Sequence, residues 1–330
     1  MNNFKLPISA LVSAILTVGA GSAAAQDATL SLAHVFPDSH PGGIHAEKLA
    51  ELVEERTNGE VKINVHHGGV LGSEADEIQQ LQAGNLDMAL LYGVSNFQNI
   101  NPRLGVEELP FIFADSDHAQ RAYDGEYGDA VTDILAEEGF VALSYWENGL
   151  RHFTNSVRPI VEPEDMSGIR FRSAEIPIRL EMFELLGASA IPMGFNELFT
   201  ALQQGTVGGQ ENPVSLIHAN NFDEVQDYLS LSGHIYNSAV LTASPAAMAK
   251  LTPEQQNILR ETGEELKVEQ RNMIAEQNKT LLAELEESGM QVNTINTEQF
   301  KEIVLPLWES FSEENGNDLI QLIDEANTES

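Results

Sequence analysis

The chain has no cysteine. That excludes disulfides, thiolate metal sites and a cysteine nucleophile. Cations are scarce as well: 17 Lys+Arg stand against 51 Asp+Glu in 330 residues, a formal charge of −34. Nucleic acid and anionic membrane both need a cationic surface, so neither is an expected partner. Beyond the first 25 residues no apolar run is long enough to span a membrane. Leu6 to Val18 is mostly apolar, but it falls short of roughly 20 residues and is broken by Pro7 and Ser9. With Lys5 before it and Ala23, Ala24 and Ala25 after it, segment 1–25 reads as a cleaved signal peptide, leaving Gln26 as the new N-terminus. The mature chain then carries 16 Lys+Arg and 51 Asp+Glu, a charge of −35, and is long enough for one or two domains.

Motifs of familiar chemistry are missing too. There is no phosphate-binding glycine loop, GxGxxG, HExxH or GxSxG. His66 and His67 end a strand, where neighbouring side chains point to opposite faces, so they do not form a ligand pair. Asp115 to Glu126 has acids at positions 1, 3 and 12 of a calcium loop, but Ala119 and Gln120 stand where a ligand and the turn glycine are needed. No metal or cofactor is expected.

What is present is a repeated α/β pattern. Ala28 to Val35 and Val61 to Val65 read as strands, Ile44 to Thr57 and Ser73 to Ala83 as helices, and Leu86 to Tyr92 as a strand again. Such βαβ order implies a largely parallel sheet. Two short helices and a strand from Val141 to Trp146 follow. The pattern restarts with a strand at Gly168 to Arg172, a helix at Pro177 to Leu186, a strand at Ala188 to Ile191 and a helix at Phe195 to Gln204. Two stretches, LGSEADEIQQLQAGNLD (Leu71 to Asp87) and MGFNELFTALQQGTVGG (Met193 to Gly209), have the same build. Thr252-Pro253-Glu254-Gln255 is a helix start with a capping box. The helix it opens, Pro253 to Ser288, would be about 54 Å long at 1.5 Å per residue. It keeps no a/d heptad, so it fits a helix lying along two lobes. A last helical stretch is interrupted by Pro306.

Against this background the arginines are unevenly placed. Five of the ten lie between Arg151 and Arg179, namely 151, 158, 170, 172 and 179. Arg151 follows a glycine turn at a strand end, and Arg172 ends a strand, on the same face as Arg170. GGQENP (Gly208 to Pro213) places polar side chains in a loop between helix and strand, where α/β sheets bind small ligands. Trp146 and Phe195 lie beside these loops and suit a pocket wall. Each has a plainer alternative: Arg158, Arg170 and Arg179 as exposed ion-pair partners, the Asn212-Pro213 step as a turn, and both aromatics as core.

The segments YWENGLRHFTNSVRPIVEPEDMSGIRFR, LGASAIPMGFNELFTALQQG and GGQENP, with GGVLGSEADEIQQLQAGNLDMAL and LTPEQQNIL, resemble the periplasmic solute receptors of TRAP transporters, the DctP-type family. The resemblance covers nearly all of the mature chain. It implies an α/β, two-lobed periplasmic binding protein fold (class II-like), with crossing hinge strands and a long C-terminal helix spanning both lobes. On that pattern lobe I would comprise 26–149 and about 238–275, and lobe II 150–237 and about 276–330. The implied ligand is a small organic acid, a sugar acid (uronate) or a C4-dicarboxylate, and the implied partners are the small and large membrane subunits of a TRAP permease driven by an ion gradient. A periplasmic monomer without catalysis is expected. By position, Arg172 matches the arginine that binds the ligand carboxylate in two parallel hydrogen bonds, Arg151 a second arginine, Asn212 an asparagine on the same carboxylate, and Phe195 a pocket wall. His34, Ser73, Glu74, Tyr92 and Asn96 would contribute from lobe I. A secreted hydrolase or lyase acting on a carboxylate, and a ligand-sensing module of a membrane receptor, are the alternatives.

Overall fold

The computed structural model describes Met1 and residues 27–328. The expected cleavage site therefore lies outside the described residues. The first half builds strands β1 (Ala28–Ala33), β2 (Val61–His66), β3 (Met88–Leu91) and β4 (Val141–Leu150), with helices α1 (Pro41–Arg56), α2 (Glu74–Ala83), α3 (Ser116–Tyr123) and α4 (Glu126–Glu137) between them. Next come β5 (His152–Asn155), β6 (Arg170–Ser173), α5 (Pro177–Leu185), β7 (Ser189–Pro192), α6 (Phe195–Gln203), β8 (Gly209–Asn212), α7 (Val214–Ala219), β9 (Tyr228–Leu231) and β10 (Tyr236–Ala243). The chain closes with α8 (Pro245–Met248), α9 (Pro253–Glu287), β11 (Gln291–Thr294), α10 (Thr297–Asn315) and α11 (Asp318–Thr328).

Two sheets result. The first has order β2-β1-β3-β10-β4, the second β11-β9-β5-β8-β6-β7. The βαβ units give parallel pairs (β1 with β2 and β3; β6 with β7 and β8), as the strand–helix alternation implies. All four residues of β3 are buried. Met88 and Leu90 join one core cluster, Ala89 and Leu91 the other, because both sheet faces are covered.

The chain passes between the sheets at β4 to β5, at β9 to β10 and, by way of α9, at β10 to β11, and the first two places are adjacent. β4 runs into β5 through Arg151 alone, and β9 returns to β10 through 232–235. These crossings are tied together where the Arg151 N–H donates to the Ile235 carbonyl at 2.8 Å. β10 pairs antiparallel with β4 over most of its length, with a register shift between Asn237 and Ser238.

Helix α9 is continuous over 35 residues, opened by the expected capping box of Thr252 and Gln255. It packs on α1 and β4 of the first sheet and on α7 of the second half, so it does lie along both lobes. Its internal glycine has a reason. A Cβ on Gly263 would stand 3.3 Å from Leu241 and 3.6 Å from Ser144, so the helix rides close on β10 and β4.

Several expectations change. Pro306 sits inside α10 without interrupting it. Asp115, which the sequence did not favour as part of an ion loop, caps α3, where its carboxylate accepts the His118 N–H at 2.8 Å. The terminal helix α11 packs on α3 and α4, elements of the first sheet's side, although 276–330 was read as part of lobe II. Trp146 is not on a pocket wall. It is fully buried under α9, where its indole N–H donates to the Gly263 carbonyl at 3.0 Å. An aromatic within a largely apolar strand reads the same for core and pocket until the covering helix is placed.

Trp146→Phe tests that correction. Losing the indole ring and its buried hydrogen bond is expected to cost about 1–3 kcal/mol of stability, seen as a lower thermal midpoint. Calorimetry should show organic-acid affinity unchanged, and a large affinity loss without destabilisation would return Trp146 to the pocket.

Candidate functional site

The two halves meet over a cleft. Phe36, after β1, contacts Phe195, at the start of α6, edge to face with ring centres 4.7 Å apart. The lips are the two similar stretches noted in the sequence. Ser73 caps α2, Gly194 opens α6, and a Cβ on Gly194 would come within 3.2 Å of the Ser73 Cβ. The space between is narrow, a cavity of about 20 Å³ walled by Ser73, Glu74, Asn96, Arg172, Met193 and Phe195, with Asn99 and Glu175 at the rim.

Arg172 is the cation of this cleft. It lies on β6 and is only 3% exposed. One edge of its guanidinium is held by a neutral group: Nε and Nη2 donate to the Met193 carbonyl at 3.0 and 2.8 Å. The end-on fork of Nη1 and Nη2 is left over. Among the described residues no carboxylate forms an ion pair with it. Burial pushes its pKa down to about 10, with Arg151 and Arg179 adding repulsion and Glu211 opposing it. A desolvated cation without a partner is costly, so the free fork can accept an anion. The Phe195 ring lies beside it, 5.8 Å from the guanidinium carbon.

Arg151 is placed differently. All its nitrogens are engaged by the protein. Nε donates to the Glu211 carboxylate, Nη2 to the other Glu211 carboxylate oxygen at 3.0 Å, to the Glu211 carbonyl at 2.7 Å and to Asn212 Oδ1 at 2.9 Å, and Nη1 to Asn237 Oδ1 at 3.2 Å. Asn212 is correspondingly occupied, because its amide N–H₂ donates to Gln210 Oε1. The QENP segment is not a loop. Gln210, Glu211 and Asn212 belong to strand β8 and are at most 1% exposed. Its second glycine is required, since a Cβ on Gly209 would meet the Phe171 ring at 2.7 Å and the Thr154 carbonyl at 2.8 Å. Gly208 has no such neighbour closer than 3.8 Å.

The other arginines divide. Arg179, expected on the surface, is 1% exposed, and its side chain binds Glu108 and Glu211. Arg158 makes no ion pair and donates instead to the carbonyls of Asp165 and Ser167 at 2.7 and 2.9 Å. Arg170, at the outer end of the same strand face as Arg172, is exposed. Burial alone would raise the Glu211 carboxyl, but Arg151 and Arg179 overcome it and hold it well below the usual range. At Glu108 burial is likewise outweighed by Arg179. Two buried guanidiniums, Arg151 and Arg179, therefore contact two ionised carboxylates, and the third, Arg172, is left unmatched.

The remaining candidates sort by their hydrogen bonds. Glu74 and Asn96 reach the cleft. Glu74 accepts the Tyr92 N–H at 2.7 Å, and burial raises its carboxyl above the ordinary range against the pull of that bond and of Arg172. Asn96 donates to the Tyr92 and Gly93 carbonyls, both at 3.1 Å. Ser73 lines the lip, but its hydroxyl caps α2 through Asp76. Tyr92 stands one layer back: its ring packs on Phe36 and its hydroxyl is buried against Gly42. His34 is wholly buried with both ring nitrogens used, towards the Phe36 N–H at 3.3 Å and His67 at 2.9 Å. Burial, and then His67, push it down to about 3, so it is neutral. Glu108, Glu211, Asn237 and Arg179 were missed as site residues. The adjacent acids in Val106-Glu107-Glu108-Leu109-Pro110, inside an apolar stretch, were the available signal. Among the described residues no group of three or more His, Asp and Glu could hold a metal, and no helix is long and apolar enough to cross a membrane.

The family profile described as "Bacterial extracellular solute-binding protein, family 7" (DctP) matches residues 32–315. The chain is 34% identical over 251 residues to the 2,3-diketo-L-gulonate-binding periplasmic protein YiaO of Escherichia coli, covering 76% of each chain. It superposes with a TM-score of 0.88 on the sugar acid binding protein of Advenella mimigardefordensis in complex with galactonate, at 32% identity, covering 92% of this chain and 99% of that one. It also superposes, with a TM-score of 0.86 at 30% identity, on a TRAP periplasmic solute binding protein of Sulfurospirillum deleyianum with bound succinate, covering 91% and 99%.

One group behind the cluster titrates near neutrality. Glu107 is buried beside Glu108; it accepts the Ser95 N–H at 2.9 Å and lies 2.6 Å from the Tyr123 hydroxyl. Burial, then the Glu108 charge, push its carboxyl up to about 7 from 4.5. The folded state thus keeps a proton that the unfolded chain releases first. Its contribution to stability is complete below the unfolded value and is lost as pH rises through about 7, on the order of 3 kcal/mol in all. Glu107→Gln removes that slope. The stability difference between variant and wild type, from urea titrations, should shift in the variant's favour between pH 5 and pH 8. Buried His34 and His40, both held down to about 3, impose the opposite slope in both proteins and cancel in the difference. A difference independent of pH would show that Glu107 is ionised throughout.

Proposed function

Because the chain belongs to the DctP family of bacterial extracellular solute-binding proteins, we propose that it captures a small hydroxylated monocarboxylic acid between its two lobes, anchored by Arg172. It is a solute receptor of the TRAP type, with a two-lobed α/β fold. What carries the ligand assignment is the buried Arg172 fork with no carboxylate of its own. A guanidinium fork matches a carboxylate in two parallel hydrogen bonds. Each charge-assisted bond in a dry cleft contributes roughly 1.5–3 kcal/mol. Phe195 supplies an apolar wall, while Glu74 and Asn96 stand where ligand hydroxyls would reach. Arg151 and Asn212 act from behind, with Arg151 raising the local positive potential.

The far end of the ligand is read by charge. Arg172 is the only cation lining the cleft among the described residues, and Glu74 and Glu175 line it too. A second carboxylate would approach those acids with no cation to receive it. That favours a sugar acid over a C4-dicarboxylate, although related receptors bind each kind.

In this reading the lobes close on the ligand and open to release it, without covalent chemistry. Lobe I comprises 26–149 and about 238–275, lobe II 150–237 and about 276–315, with α11 returning to lobe I. The signal peptide is removed after Ala25, and the monomer works in the periplasm with the small and large membrane subunits of a TRAP permease.

Arg172→Ala should weaken sugar-acid binding at least about 30-fold by titration calorimetry, from the 2–5 kcal/mol cost of removing one side of a desolvated pair. Arg172→Lys should also bind weakly, because an ammonium cannot copy the fork. In a thermal-shift panel, D-galactonate, D-glucuronate and D-galacturonate should raise the midpoint and be recovered unchanged. Stabilisation by succinate alone would sink the monocarboxylate assignment, and turnover of any ligand would sink the receptor mechanism.

A further inference from the structure

We propose that Arg179 is a positioning residue that couples lobe closure to the carboxylate site, tying Glu108 on the first sheet's side to Glu211 in the second sheet. The inference rests on the two-lobed receptor reading above, and adds a contact by which the protein itself favours the closed form.

The geometry is specific. Arg179 projects from α5, which connects β6 to β7 in the second sheet. Glu108 ends the turn of 3-10 helix at Pro102–Glu108, which follows β3 of the first sheet. Arg179 Nε and Nη2 donate to the two Glu108 carboxylate oxygens at 2.7 and 2.5 Å, a bidentate pair across the lobes. The same guanidinium uses Nη1 on Glu211 Oε1 at 3.1 Å, and Glu211 in turn holds Arg151. Asn237, the second residue of crossing strand β10, completes the link. Its Oδ1 accepts from Arg179 at 3.0 Å and from Arg151 at 3.2 Å, and its Nδ2 donates to Glu108 at 2.8 Å. The Ser95 hydroxyl also donates to Glu108 at 2.6 Å.

A buried ion pair gains little over apolar packing, because desolvation consumes its Coulomb energy. What such a pair does well is reject every geometry but one. Shifting either lobe leaves a charge unpaired in a dry site. A chain with 17 cations that buries one of them here, with both carboxylates fully covered, is selecting a lobe arrangement. When the lobes part, Glu108 and Arg179 separate into water. Glu211 then loses the partner that, with Arg151, sets its direction.

The chain has no cysteine, so Gln79→Cys on α2 and Thr200→Cys on α6, both exposed and on opposite sides of the cleft, give a single spin-label pair. Pulsed electron resonance then reads the closed-to-open ratio without ligand, and calorimetry reads affinity for D-galactonate. Glu108→Gln is expected to lower both by about tenfold or more. The double variant Glu108→Gln/Arg179→Gln, which leaves no orphaned charge if the single variant folds poorly, should shift the ratio in the same direction. Arg172→Ala serves as the contrast, losing D-galactonate without lowering the unliganded closed-to-open ratio, because it removes an unpaired buried charge rather than a contact between the lobes. An unliganded wild type with no closed population, or a ratio unmoved by Glu108→Gln or the double variant, overturns the proposal. A wild type that ignores D-galactonate but whose ratio still falls in the variant would instead count against the ligand assignment alone.

Discussion

The desolvated Arg172 guanidinium is the constraint around which the site is arranged. A protein of formal charge −34 repels anions over most of its surface. That repulsion is screened within about 8 Å at physiological ionic strength, so a concentrated cation inside a cleft can still win locally. To be useful it must not be neutralised by the protein. Arg151 and Arg179 are matched by Glu211 and Glu108, while Arg172 is held by a carbonyl that fixes its plane without cancelling its charge.

The neighbouring ion network lies where the backbone changes sheets. Arg151 is the single residue between β4 and β5, and Asn237 sits at the start of β10, the returning strand. Charged groups at these crossings link the two sheets through a few buried atoms. Long helix α9 braces both sides from outside, with Gly263 letting it approach β4 and β10 and Trp146 closing the gap beneath it.

Local rules made much of the architecture legible. Period-two and helical spacing, the capping box at Thr252 and the βαβ order located most strands and helices to within a few residues. The structure also brings Arg172, Phe195, Glu74 and Asn96 together at one cleft, each beside a strand end or helix start. What failed depended on partners distant in the chain. Arg179 looked like a surface residue because Glu108 is 71 positions away. His34 and Tyr92 were placed at the wall, whereas His67 and Phe36 draw them behind it. QENP looked like a loop because polar runs usually are, yet two arginines, Arg151 and Arg179, and the Gln210 side chain satisfy it as a buried strand.

The amino-acid order alone determined that this chain would form two α/β units with a long capped helix, and that half its arginines would fall in one segment, because periodicity, capping and composition act over a few residues. Which of those arginines is free to hold an anion was decided only in the tertiary structure. Glu108 and Glu211 must first be brought against Arg179 and Arg151 by the sheet crossings, and charge balance in a dry site exists only once every neighbour is in place.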